Sequence, residues 1–157
     1  MKGSTKIKGI LDELLAAELA AINTYFVNAK LLSNWGYATL AAKIYEESMA
    51  EMRHAEQLID RIIYLDAVPN MNKLGRVKTG ATVGEQFDTA LELEMGQCKR
   101  LVQAVDTCRA EGDDGTRLIL EPMISAGEET IDWLETQISL IAKLGETNYL
   151  AQQLGTG

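Results

Sequence analysis

Proline is almost missing from this chain, with two residues in 157. Runs of β-branched residues are missing as well, which leaves little from which to build strands. Forty-six per cent of the residues are hydrophobic, and Ala, Leu, Glu, Lys and Gln dominate, so the expected class is all-α. The length suits a single domain over 1–157 with a sizeable core. No apolar run reaches the roughly 18 residues that a membrane span needs, and no signal-peptide pattern opens the sequence. Cysteine is scarce. Cys98 and Cys108 fall ten residues apart on one predicted helix, roughly 15 Å at about 1.5 Å per residue, beyond disulfide reach. A reducing cytoplasm is the expected compartment. Positive charge is also short: 15 Lys and Arg face 23 Asp and Glu, for a net charge of −8 and a pI near 4.7. Such a surface repels phosphate backbones and anionic headgroups, which argues against nucleic acid and membrane as partners. Metal cations or a basic protein fit better.

What is present is helical periodicity. The first helix is expected from about Thr5 to Asn34, closed by Asn34-Trp35-Gly36, with an inward seam of Leu11, Leu15, Glu18, Ile22, Tyr25, Ala29 and Leu32. The second, about Tyr37 to Leu65, reads Leu40, Ile44, Glu47, Glu51, His54, Leu58. The third, about Glu85 to Glu111, reads Phe87, Leu91, Glu94, Cys98, Leu101, Val105, Cys108. The fourth, about Thr116 to Leu144, reads Leu120, Met123, Gly127, Thr130, Leu134, Ile138, Ile141, and a short fifth segment lies within Thr147–Leu154. Steps of three and four are how bundle helices face one another. The first and third connections are short, whereas Asp66 to Gly84 is long enough to run the length of a bundle. One such crossover, between helices two and three, is the ferritin-like topology.

Carboxylates stand in these seams where leucines belong. Glu18, Glu51, His54 and Glu94 are in register with core residues on three helices. Burying ionised carboxylates without a partner costs several kcal/mol each, and three together repel. A shared divalent cation resolves both problems. Glu51-Met52-Arg53-His54 is an E-x-x-H pair, whose ends project from one helix face, and His54 is the only histidine. Oxygen-rich ligands with one imidazole suit iron or manganese better than zinc. Glu47, one turn before Glu51, is either an auxiliary ligand or solvated near the bundle end.

Over nearly its whole length the sequence resembles the bacterioferritins. The resemblance is carried by Met1-Lys2-Gly3, Glu18-Leu19-Ala20-Ala21-Ile22-Asn23-Thr24-Tyr25-Phe26, Asn34-Trp35-Gly36, Glu51-Met52-Arg53-His54-Ala55, Leu91-Glu92-Leu93-Glu94 and Ile131-Asp132-Trp133-Leu134-Glu135-Thr136. It implies a di-iron centre in which Glu18 and His54 are terminal ligands and Glu51 and Glu94 bridge. The second iron takes its terminal ligands from an E-x-x-H pair on the fourth helix. Here those positions are Gly127 and Thr130, and neither is a plausible replacement. A helix turns about 100° per residue, so Glu128 and Glu129 are expected to point away from the seam; Pro122 is the feature that could shift the register.

A second stripe on helix two, Tyr45, Met49, Met52, Ile59 and Ile63, is matched by Leu19, Asn23 and Phe26 on helix one. An apolar stripe beyond the seam is expected to be covered by another chain. The resemblance implies that Met52 is an axial ligand of a b-type haem shared between two subunits, lined by Leu19, Asn23, Phe26, Tyr45 and Met49. Tyr25 and Trp133 are candidates for electron transfer or plain core aromatics; Asn34, Asp66 and Asp132 match pore residues or act as caps. The implied function is a haem-binding subunit of a 24-subunit iron-storage shell with a degenerate di-iron centre, co-assembled with a ferroxidase-competent subunit and served by a ferredoxin-like electron donor. Two alternatives stand: an active ferroxidase using a rescued or mononuclear site, and a haem electron carrier with no storage role.

Overall fold

The computed structural model describes residues 2–73, 75 and 77–155; Met1 of the opening motif lies outside them. Helix α1 spans Thr5–Asn34, α2 Ala38–Tyr64, α3 Val83–Glu111, α4 Asp114–Leu144 and α5 Glu146–Ala151, with no strand among the described residues. The helix starts are set by short polar side chains that satisfy free backbone N–H groups. Ser4 Oγ accepts from Ile7 N, Thr82 Oγ1 from Glu85 N, and Asp113 Oδ1 from Thr116 N. The last two caps explain why α3 and α4 each begin two residues earlier than their hydrophobic periodicity indicates. The fifth helix is shorter than the predicted tail segment. Gly112 ends α3 in the left-handed region, at φ 71°, which an L side chain adopts only under strain.

Helices α1 and α2 form one tightly packed pair, and α3 and α4 the other. Gly3 N donates to Leu65 O, so the start of α1 and the end of α2 share one end of the bundle. The crossover then climbs α1. Asn70 N donates to Asp12 Oδ1, Lys73 meets Glu13, and Gly75 passes so close that a Cβ there would lie 2.6 Å from Ala20 Cβ. It delivers α3 to the opposite end, where Val83 and Phe87 pack with Tyr25, Leu32 and Leu40. Tyr149 of α5 caps that end, edge-on to Phe87 and donating its hydroxyl to Gln137 Oε1 at 2.7 Å.

The apolar core comes in two blocks. One holds Ile7, Leu11, Leu15, Leu58, Leu101 and Leu120, the other Tyr25, Leu32, Leu40, Phe87 and Leu134. The seam positions between them belong to the carboxylates. Both cysteines are free, as their separation requires. No described helix is long and apolar enough to cross a membrane.

Candidate metal centre

Glu18 on α1, Glu51 and His54 on α2, and Glu94 on α3 enter the layer between the blocks. The three carboxyl-bearing residues are only 1%, 7% and 4% exposed, so little water reaches them. One ligand atom from each of Glu18, Glu51 and His54 lies within 4.8 Å of the others. His54 Nδ1 is 3.2 Å from Glu51 Oε2 and 4.0 Å from Glu18 Oε2. Glu94 stands beside this trio, its Oε1 accepting a 2.5 Å hydrogen bond from the buried Tyr25 hydroxyl.

Burial dominates the electrostatics. Desolvation, reinforced by Glu51, holds the Glu18 carboxyl well above the usual carboxylate range, with Gln97 opposing. Glu94 is pushed up to about 9, by burial first and the charge of Glu51 second. Glu51 goes the other way: burial pushes it up, but the neighbouring Glu18 carboxyl and the His54 imidazole outweigh that and hold it below its ordinary value. Burial and the neighbouring Glu94 raise the Tyr25 phenol, which therefore stays protonated. Burial thus favours the protonated forms of Glu18 and Glu94 and leaves the negative charge on Glu51. A divalent cation does the same work by displacing those protons. The donor set fits one, since Glu18 Oε2 is buried and has no hydrogen-bond partner.

Gln97 is a participant that the seam reading passes over. Its Nε2 donates to Glu18 Oε1 at 2.9 Å and reaches Leu14 O at 3.4 Å, fixing the Glu18 carboxyl against α3. The signal was available, because Gln97 lies three residues after Glu94 and so on a neighbouring strip of the same helix. It also lines a cavity of about 510 Å³ between α1, α3 and the crossover, whose walls include Glu18, Glu51 and Glu94. Lys73, Lys78 and Arg100 stand among its lining with Glu13 and Glu92.

The α4 side is different. The helix is continuous through Pro122, so the register does not shift. Gly127 is buried on the seam, within reach of Glu94, while Glu128 and Glu129 are exposed. Neither Glu128 nor Glu129 turns toward the centre, and Glu47 is the carboxylate that reaches Thr130. Thr130 Oγ1 is engaged with Glu47 Oε2 at 3.1 Å, and Glu47 pairs with Lys43. Trp133 packs edge-on against Phe87, as a core aromatic.

On the outer face of α1 and α2, Met52, Phe26 and Tyr45 are 41–43% exposed, and Ile63 is more so. The Phe26 and Tyr45 rings lie 6.3 Å apart. Asn23 is exposed beside them, and Leu19, Met49 and Ile59 are half-buried. Asn34 and Asp132 are exposed, and Asp66 takes a left-handed φ of 58° in the turn after α2.

Comparison with known proteins agrees with this architecture. A family model described as the Ferritin-like domain matches residues 8–144. Bacterioferritin BfrA of Mycobacterium tuberculosis is 43% identical over 152 residues, covering 97% of this chain and 96% of that protein. A bacterioferritin of Streptomyces coelicolor is 42% identical, over 96% of this chain and 90% of its own length. The solved structure of the Mycobacterium tuberculosis BfrA superposes with a TM-score of 0.97 at 42% identity, covering 99% of this chain and 98% of that one.

Two outcomes follow from the proton-filled layer. Raised carboxyl values mean that stability from the protonated groups is full below the unfolded value near 4.5 and is lost as pH rises toward 9. Thermal melts of the metal-free protein therefore fall with rising pH across that window, and an added divalent cation restores the loss. Calorimetric titration in two buffers of different ionisation enthalpy detects the protons released on binding. Replacing Gln97 with Leu, which frees Glu18, weakens Co(II) binding by about tenfold, the loss of one hydrogen bond to a charged group.

Proposed function

The chain belongs to the bacterioferritin family of iron-storage proteins, and we propose that it is the haem-carrying subunit of a 24-subunit shell, with one iron position where the family has two. The observation that carries this reading is the contrast between two faces of one subunit. Glu18, Glu51 and His54 converge within ligand distance of one another with the buried Glu94 beside them, whereas the facing α4 positions hold Gly127 and Thr130. The methionine at 52 and its apolar surroundings are retained.

Fe(II) is the substrate. It reaches the carboxyl layer through the cavity between α1 and α3, where Gln97 holds Glu18 in place and Tyr25 holds Glu94. As the ion arrives, Glu18 and Glu94 give up their protons and Glu51, already a carboxylate, joins them with His54. A single ion there loads and passes on iron, and the paired-iron oxidation is left to a second subunit type with a complete centre. Ferric mineral accumulates inside the common shell.

The exposed patch around Met52 suits a flat apolar ligand covered from its far side by a second copy. Met52 from each of two copies would hold a b-type haem, with Leu19, Asn23, Phe26, Tyr45 and Met49 around it. Thioether ligation favours the reduced iron and raises the potential. When bound, haem supplies a one-electron path by which a ferredoxin-like donor reduces stored Fe(III) for release.

Haem titration of the purified protein, followed in the visible spectrum, is expected to saturate at about one haem per two chains. Met52→Leu abolishes that spectrum, and full retention by the variant removes Met52 as a ligand. Mass spectrometry of shells isolated from the native organism is expected to find two bacterioferritin polypeptides. Finding this chain alone would sink the mixed shell.

A further inference from the structure

Losing two ligands from α4 leaves open whether the second metal position is merely stripped or has been filled. A Cβ added to Gly127 would lie 2.5 Å from Cys98 Sγ and 3.8 Å from Glu94 Oε2. Carbon and sulfur do not approach that closely, so the thiol occupies this space and must turn aside for any side chain at 127. One turn on, the Thr130 hydroxyl lies 3.1 Å from Glu47 Oε2 and 3.2 Å from Ala126 O, both acceptors for its single proton. The other Glu47 oxygen pairs with Lys43 Nζ at 3.0 Å. That ammonium sits 5.2 Å from the centre of the Trp133 ring, whose face also attracts a cation. The charge of Glu47 is felt by both Glu94 and Tyr25, so this ion pair borders the centre.

We propose that Cys98 and Lys43 together close the second metal position, the thiol by filling the volume of the absent ligand and the ammonium by supplying the positive charge that a second ion would have brought. The pocket is rebuilt as metal-free packing. A second divalent cation approaching from α4 meets sulfur where its ligand should be and an ammonium that already neutralises Glu47. Restoring ligands to α4 is then insufficient to restore the ion. This inference rests on the single-iron reading above and adds the residues that enforce it.

The test counts Co(II) per chain by anaerobic titration, with cobalt absorption and calorimetry as readouts. The protein itself is expected to bind one Co(II). Gly127→Glu with Thr130→His is expected to stay at one, and adding Cys98→Ala and Lys43→Met to that pair raises the count to two. Two ions in the Gly127→Glu, Thr130→His variant, or one in the fully substituted and folded protein, overturns the closure. No ion, or two, in the unsubstituted protein sinks the single-iron reading itself. A second measurement needs no restored ligands. Gly127→Ala lowers the melting temperature by about 5 °C while Cys98 is present. In a Cys98→Ala background the same change is neutral or stabilising, as Gly to Ala inside a helix normally is. A rise in melting temperature with Cys98 in place contradicts the steric half of the proposal.

Discussion

Three buried carboxyl groups and a partly exposed imidazole share one layer of the bundle, and the mutual repulsion of the carboxylates governs the rest of the subunit. Two apolar blocks above and below supply the burial free energy that makes such a layer affordable. In return the layer must hold protons or a cation at all times. The neighbouring residues reflect that need: Tyr25 donates to Glu94, Gln97 donates to Glu18, and His54 meets Glu51. The residues best placed to bind a cation are the ones whose metal-free state is least comfortable. That is a general property of preformed metal sites, and here it follows from three glutamates at leucine positions.

Much of this was legible in the sequence because it depends on period and spacing. The seams on α1, α2 and α3 predicted which glutamates would be buried, and the long connection predicted the crossover. The position of Gly127 on the α4 seam, and the outward direction of Glu128 and Glu129, followed from helix geometry alone. What stayed hidden depends on contacts between helices. Nothing local pairs Gln97 with Glu18, and nothing local sets the Cys98 thiol against Gly127. The pairing of Lys43 with Glu47 is local to α2, but packing against α4 sets its ammonium 5.2 Å from the centre of the Trp133 ring. Helix starts were missed by two residues because caps at Thr82 and Asp113 lie outside the hydrophobic period.

The asymmetry between the faces suggests how a storage shell divides its labour. The outer face of α1 and α2 carries large exposed side chains at Phe26, Tyr45 and Met52, whereas the α4 seam has Gly127 and Thr130 beside the Lys43–Glu47 ion pair of α2. In the proposed closure, Cys98 fills the space beside Gly127 and Lys43 neutralises Glu47. The fold is that of a bacterioferritin, as the 0.97 superposition indicates.

Anomalous diffraction from crystals soaked anaerobically in a ferrous salt addresses the central claim directly. The account predicts one iron peak per chain, bounded by Glu18, Glu51, His54 and Glu94, and no peak against Gly127 and Thr130. Two fully occupied peaks in that layer, or glutamates rotated out to solvent with no peak between them, would contradict it.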